Sequence, residues 1–152
     1  MRLGVISDTH NVLKEEVLRH LQDCDYIIHA GDVCRQEIVE QLNQITKTFV
    51  VKGNNDKDEW GSQLPDYLEI ELGDHLIYVV HDKKDIPKNL NDVDLVIYGH
   101  SHKYDLEYRD ELIFLNPGGC GKKRFSLPLT MALVELTEAQ IKIDKIELEL
   151  SK

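Results

Sequence analysis

The sequence predicts an α/β fold with a mixed β core and helices outside it, and three observations carry that prediction. In the first third, short apolar runs alternate with stretches whose apolar residues recur at helical spacing. In the remainder, apolar runs come in pairs joined by short turn sequences. The 152 residues contain no internal repeat, low-complexity tract or long linker, so residues 1–152 are expected to form one domain around one core.

The elements follow in order. Leu3–Ile6 reads as a buried strand ending at Ser7-Asp8. Val12, Leu13, Val17, Leu18 and Leu21 recur at helical spacing, with Lys14, Glu15, Glu16 and Arg19 on the opposite face. Tyr26–Ala30 is a second buried strand, stopped by Gly31, and Ile38, Val39, Leu42 and Ile45 mark a second amphipathic helix. Thr48–Lys52 is a third strand, stopped by Gly53. Strand–helix–strand–helix–strand is the pattern of parallel βαβ units. Tyr67–Leu72 and His75–Val80 then flank Gly73-Asp74, a hairpin turn. Leu95–Tyr98 is a buried strand stopped by Gly99. Asp105–Tyr108 and Leu112–Leu115 form a second hairpin across Arg109-Asp110-Glu111. Leu129–Leu136 and Gln140–Leu150 form a third, turning near Thr137-Glu138-Ala139. In its last strand Ile141 and Ile143 share one parity while Ile146, Leu148 and Leu150 share the other, which predicts a bulge near Asp144-Lys145.

Composition narrows the function classes. Hydrophobic residues at 41% and charged residues at 30% describe a soluble globular chain. A formal net charge of -10 disfavours non-specific binding to long nucleic acid or an anionic membrane. Cys24, Cys34 and Cys120 are odd in number and form no C-x-x-C pair, which fits a reducing compartment better than a disulfide framework. No charged-apolar-small leader precedes the first strand, and no segment approaches the length of a membrane span. The expected location is the cytoplasm.

Seven residues carry the functional signal: Asp8, His10, Asp32, Asn54, His81, His100 and His102. They lie in five clusters, Asp8-Thr-His10, Gly31-Asp32, Gly53-Asn54-Asn55-Asp56, His81 and Gly99-His100-Ser-His102, each directly after an apolar run. Loops at the carboxyl ends of parallel strands gather at one edge of a sheet, so clusters distant in sequence are expected to converge. Glycines at 31, 53 and 99 suit turns where backbone approaches a ligand closely. Oxygen and imidazole donors delivered this way suggest two divalent cations and phosphoester hydrolysis. An anionic phosphodiester resists attack, and two cations about 3.5–4 Å apart clamp its oxygens and supply a hydroxide at neutral pH. Asp32 is the candidate bridging carboxylate, and binding should weaken at acid pH because the histidines must lose protons to ligate.

The ordered set D-x-H, GD, GN-x-D, H and GH-x-H, running from Asp8 to the Asn116-Pro-Gly loop, resembles the calcineurin-like metallophosphoesterase superfamily, most closely its small YfcE-type phosphodiesterase branch. The resemblance implies a sandwich of two mixed β-sheets flanked by helices. It implies one metal held by Asp8, His10, Asp32 and His102, and a second held by Asp32, Asn54, His81 and His100. Manganese is the expected ion, with iron, zinc and nickel also used in the family. It further implies a phosphodiesterase in which a bridging hydroxide attacks phosphorus in line with the leaving oxygen. Asn54 would touch a phosphate oxygen, and His81 and His100 would stabilise developing charge. Three positions depart from the family pattern. Asn55 stands where many members have a catalytic histidine, Asp82-Lys83 where Gly-His is common, and Gly119 where the NPGS loop has serine. Asn cannot act as a general acid at neutral pH, so esters with acidic leaving groups should be cleaved faster.

The expected partner is a small phosphodiester or nucleotide-like substrate, with no membrane and no long nucleic acid; a homo-oligomer stays open. The alternative is a catalytically weak or inactive metal-binding scaffold for protein interaction. Other polar and aromatic residues are read more plainly. Asp56 is expected to support the site from behind by orienting Asn55, with a turn cap as the alternative, and His29 to be a hydrogen-bonded histidine of the core or behind the site rather than a ligand. His20 and His75 are expected at the surface, Cys120 in a tight turn, and Lys122-Lys-Arg124 as a solvated basic turn or a phosphate contact. Trp60 and Tyr67 are expected to pack in the core rather than stack on a substrate ring.

Overall fold

The structure is a computed structural model describing residues 1–124 and 126–149. Among these residues ten strands and two α-helices follow in the order β1 (Arg2–Ile6), α1 (Glu15–Leu21), β2 (Tyr26–His29), α2 (Gln36–Ile45), β3 (Thr48–Val50), β4 (Tyr67–Leu72), β5 (His75–Val80), β6 (Leu95–Ile97), β7 (Asp105–Arg109), β8 (Leu112–Asn116), β9 (Thr130–Leu136) and β10 (Ile141–Glu147). They form two five-stranded sheets, β10-β9-β1-β2-β3 and β4-β5-β6-β8-β7. Each sheet has a parallel triplet, β1-β2-β3 in one and β5-β6-β8 in the other. Antiparallel partners complete each sheet.

The parallel strands read as continuous apolar runs because both their faces are buried. Alternate residues of each triplet, among them Leu3, Val5 and Ile28 from one sheet and Ile77, Val79, Leu95, Ile97 and Leu115 from the other, meet between the sheets. The opposite faces of β1, β2 and β9 present Ile6, Ile27, Met131 and Leu133 to Val17, Leu21, Ile38 and Leu42 of the helices. The outer face of the second sheet carries Tyr78, Val80, Val96, Tyr98 and Phe114, covered by Ile86, Leu90 and Val93 from the β5–β6 connection. Both helices therefore flank the first sheet, and an irregular segment covers the second. Gly4 lets α1 lie flush on β1, since a Cβ there would overlap Leu21 Cδ2.

Several boundaries differ from the sequence reading. The first helix begins at Glu15, leaving Val12 and Leu13 outside it. His10 and Asn11 hold left-handed backbone at φ 45° and 67°, and Val12 N–H closes a turn on Thr9 O, so helix cannot start earlier. Acidic Glu15 and Glu16 sit in its first turn and Arg19 and His20 in its last, complementing the helix dipole. The predicted bulge near Asp144-Lys145 is absent: β10 pairs with β9 without a break from Ile141↔Leu136 to Glu147↔Thr130. The parity change has another cause. Ile141 and Ile143 pack into the space between the sheets, whereas Ile146 and Leu148 sit on the helix side. A regular strand buried on one face along its first half and on the other along its second half gives that pattern. Leu150 lies outside the described residues.

Truncation in the shared core should be costly while the exposed edge should tolerate change. Ile97→Ala, at a fully buried site, is expected to lose about 2–5 kcal/mol in urea unfolding. Tyr108→Ala, at a site 59% exposed on β7, should change stability by no more than about 0.5 kcal/mol.

Candidate metal centre

The parallel triplets of the two sheets end at the same end of the sandwich, and all seven sequence-selected residues meet there. Asp8 and His10 follow β1, Asp32 follows β2 and Asn54 follows β3; His81 follows β5, and His100 and His102 follow β6. Hydrogen bonds tie these loops together within and between the sheets. Asp8 N–H donates to Gly31 O in the first sheet and Gly99 N–H to His81 O in the second, and His100 N–H crosses from the second sheet to the Asp8 Oδ2 carboxylate of the first.

One donor from each of Asp8, His10 and His102 lies within 4.8 Å of the others, and the same holds for Asp32, His81 and His100. Asp32 links the two groups, its Oδ2 standing 3.5 Å from His10 Nε2 and 3.3 Å from His81 Nε2. Asn54 Oδ1 lies 3.0 Å from His81 Nε2 and 3.1 Å from His100 Nδ1. Asp8 and Asp32 form a buried floor, while Asn54 and His100 form a rim open to solvent.

The local backbone shows that this is a built arrangement. Asp8, His10, Asp32, His100 and His102 all have φ between 45° and 77°. Non-glycine residues seldom adopt that conformation, and such strain gathers at functional sites. Gly31 has φ 106°, and a Cβ there would sit 2.6 Å from His81 Nδ1. A Cβ on Gly53 would overlap the Asp32 carboxylate.

Supporting residues hold the floor in place. Buried Asp56 accepts from Asp32 N–H at 3.0 Å, Cys34 N–H at 2.8 Å and Gly53 N–H at 2.8 Å, so it braces the Asp32 loop rather than orienting Asn55. Asn116 donates to Gly99 O and Ser101 Oγ and accepts from Gly118 N–H, fixing the loop that carries both terminal histidines. His81 Nδ1 lies 2.7 Å from Ala30 O. A carbonyl only accepts, so Nδ1 carries the proton and Nε2 is the donor atom facing Asp32. His29, fully buried, accepts from Gly31 N–H at Nδ1 and lies 3.0 Å from Thr9 Oγ1 at Nε2, which commits both nitrogens as expected for a core histidine. Burial pushes it down to about 4, so it is neutral.

Charge is distributed unevenly across the cluster. Burial alone would raise the Asp32 carboxyl, but hydrogen bonds from His81 and Asn55 outweigh it and hold the group below the usual carboxylate range. Burial opposes charge on His81, yet the Asp32 and Asp8 carboxylates overcome it and raise the imidazole to about 9. The Asp8 carboxylate also raises His10, whereas burial lowers His102. Asp8 Oδ1 is buried with no hydrogen-bond partner, surrounded by His10 Nε2 at 3.7 Å, His102 Nε2 at 3.6 Å and His81 Nε2 at 3.9 Å. A buried carboxylate oxygen that accepts no hydrogen bond and faces three imidazole nitrogens fits a cation.

Other residues depart from expectation or sharpen it. Arg124 of the basic turn reaches the cluster, its Nη1 3.4 Å from His102 Nε2. Cys34 Sγ lies 3.8 Å from His10 Nδ1, and burial pushes its thiol up to about 11. Cys120 is buried with its thiol pushed up to about 12, the state of an inert packing residue. His75 is partly buried rather than a plain surface residue, its Nε2 2.6 Å from Thr137 O. Trp60 packs against the helix-side core, but Tyr67 is 54% exposed and not a core residue. The bracing roles of Asp56 and Asn116 lay within motifs visible in the sequence and Arg124 within the basic turn read as a phosphate contact or a solvated turn, whereas the Cys34 contact had no sequence signal. No helix of the described residues is long and apolar enough to cross a membrane.

Removing the brace should loosen the floor. Asp56→Ala strands three N–H groups, two of them buried, and is expected to cost about 2–4 kcal/mol of stability, read by thermal and urea unfolding. Divalent metal affinity, read by calorimetry, should fall about 10–100-fold in the softer Asp56→Asn variant. A cation entering the site displaces the His81 proton, so affinity should rise with pH up to about 9 and level off above it. Calorimetry in buffers of different ionisation enthalpy would show the released proton; affinity independent of pH would contradict the assignment.

Residues 1–139 match the family model of the calcineurin-like phosphoesterase superfamily domain. A probable metallophosphoesterase of Methanocaldococcus jannaschii is 32% identical, over 97% of this chain and 82% of its own length. The phosphodiesterase YfcE of Escherichia coli strain K12 is 25% identical, over 89% of this chain and 88% of its own. Among solved structures, Vps29 of Entamoeba histolytica, crystallised with zinc, superposes with a TM-score of 0.74 at 22% identity. That likeness covers 97% of this chain and 99% of Vps29 and concerns the fold.

Proposed function

The chain belongs to the calcineurin-like phosphoesterase superfamily, and on that premise we propose that it is a phosphodiesterase working through two divalent cations, with residues 1–152 acting as one domain. The observation that carries the proposal is the buried, unpartnered Asp8 Oδ1 and the Asp32 carboxylate linking two groups of imidazoles. In this reading Asp8, His10, Asp32 and His102 hold one cation. Asp32, Asn54, His81 and His100 hold the other, with Asp32 shared. Two cations bound there would polarise the phosphoryl oxygens and supply a bridging hydroxide for in-line attack.

The chain's own residues then do the rest. Asp8 and Asp32, buried and braced, fix the spacing of the centre. Asn54, exposed at the rim beside His81 and His100, can also meet a phosphate oxygen, and His81 and His100, as holders of the second cation, would help stabilise the charge that develops in the reaction. Asn55 donates through its backbone N–H and its Nδ2 to the two oxygens of Asp32, at 2.8 and 3.1 Å. Its side chain is therefore spent on the carboxylate and gives no proton to a leaving group. Manganese is the proposed ion, and a donor set of mixed oxygen and nitrogen also accommodates iron, zinc or nickel. The proposed substrates are small phosphodiesters or nucleotide-like esters. A cytoplasmic setting fits Cys24, Cys34 and Cys120 all being free thiols.

The test is hydrolysis of bis(p-nitrophenyl) phosphate with and without manganese, beside Asp32→Asn. Metal-dependent release that vanishes in the variant is expected. Across a series of aryl esters the rate should fall steeply as the leaving group becomes more basic, because no residue at position 55 protonates it. A flat series would refute that account of Asn55. Folded, metal-loaded protein without release would favour a binding scaffold instead.

A further inference from the structure

Beside the centre lies a cleft of about 320 Å³ that includes His81, Lys52 and the aromatic pair Tyr67 and Tyr78. Its position follows from the ladder. Tyr67, the first residue of β4, pairs with Val80, which immediately precedes His81. Lys52 immediately precedes the Gly53-Asn54 cluster. The cleft thus shares His81 with the second proposed cation site and borders the segment that delivers Asn54. A wider cleft of about 1100 Å³, between the 86–94 segment and the β7–β8 turn, includes none of the seven candidate ligands.

Tyr67 is one of three large apolar side chains that the described residues leave exposed, the others being Met1 and Tyr108. Its ring is nevertheless ordered by a neighbour. It stacks on Tyr78 with centroids 5.5 Å apart and planes 15° apart, and Tyr78 itself is buried in the outer core. One face of Tyr67 is held and the remaining surface is wet. That is the geometry of a stacking platform whose side-chain entropy is already spent. Asp66 and Asp85 line the same cleft with carboxylate acceptors, and Lys52 adds a cation. A ring carrying N–H donors and attached to an anionic phosphate matches those three features. Stacking alone accepts any aryl group, but the carboxylates favour one bearing an amino group, as adenine, cytosine and guanine do.

We propose that this cleft binds the nucleobase of a nucleoside phosphodiester, with Tyr67 stacking on the base while the phosphate lies at the metal centre. The proposal rests on the phosphodiesterase reading for the chemistry and adds to it the class of substrate. Tyr67 is a specificity residue here, and it takes no part in bond breaking.

Three esters that share the p-nitrophenol leaving group and differ in the second arm separate the outcomes. The arms are methyl, phenyl and 5′-adenosyl. The native protein should show kcat/KM about tenfold or more higher for the adenosyl arm than for methyl, with phenyl between them. Tyr67→Ala should erase the adenosyl advantage through KM, whereas Tyr67→Phe, which keeps the ring, should retain it. Equal kcat/KM for the adenosyl and methyl arms, or an advantage that survives Tyr67→Ala, would overturn the proposal. Phenyl equal to adenosyl would overturn the nucleobase assignment. Binding of adenosine 5′-monophosphate by calorimetry gives a readout independent of turnover. Binding weakened about tenfold by Tyr67→Ala, in protein that hydrolyses none of the three esters, would sink the phosphodiesterase reading and leave the base cleft standing. Hydrolysis of all three esters with equal nucleotide binding by native and variant protein would do the reverse.

Discussion

Two carboxylates buried at the ends of parallel strands set the terms for the rest of this protein. Asp8 is fully buried and Asp32 nearly so, and moving a carboxylate out of water costs several kcal/mol unless partners replace the lost hydration. The fold supplies such partners unevenly. Asp8 Oδ2 accepts from Ser7 Oγ and His100 N–H, and the two oxygens of Asp32 accept from the backbone and side chain of Asn55. Asp8 Oδ1, which accepts no hydrogen bond, and Asp32 Oδ2 turn toward imidazoles. Each carboxylate is thus anchored by N–H and O–H donors while an oxygen faces the interior of the cluster.

Holding them there has a backbone cost. Five of the seven candidate ligands sit in left-handed conformation, on the order of 1 kcal/mol of strain apiece. What offsets it is the rigidity beneath. The loops spring from strands buried on both faces, so their first residues cannot relax without disturbing the inter-sheet core. Asp56 and Asn116 then close the loops from behind by taking up backbone N–H and C=O groups that would otherwise be stranded. A site on loops gains in this way the positional precision normally found on strands and helices.

The electrostatic setting follows from the same constraint. A chain of net charge -10 repels anionic phosphate esters at long range. Cations held by the carboxylate floor would reverse that sign locally, where it counts. Before any cation binds, protons play the part: His81 and His10 are held toward the charged form by neighbouring carboxylates, while in fully buried His29 the cost of burial outweighs the pull of Asp8 and Asp32 and the ring stays neutral.

Much of this was legible in the sequence. The strands were visible because burial on both faces writes unbroken apolar runs, and the hairpin at Gly73-Asp74 because a two-residue turn favours glycine at positive φ. The seven donors were visible because each follows such a run. Local pattern does not record which face of a strand is buried against what. The shift of β10 from the inter-sheet face to the helix side therefore read as a bulge, and Tyr67 read as core. Nor does it record backbone conformation, so the helical spacing of Val12 and Leu13 hid the left-handed turn that delays α1. By itself the sequence determined the order of elements, the apolar core and the donor set. Tertiary structure decided which donors face one another, which buried oxygen goes unpartnered, and that Cys34, Arg124 and the Tyr67 platform border the centre. Those depend on distances between loops far apart in the chain, and only the packing of two sheets against each other fixes them.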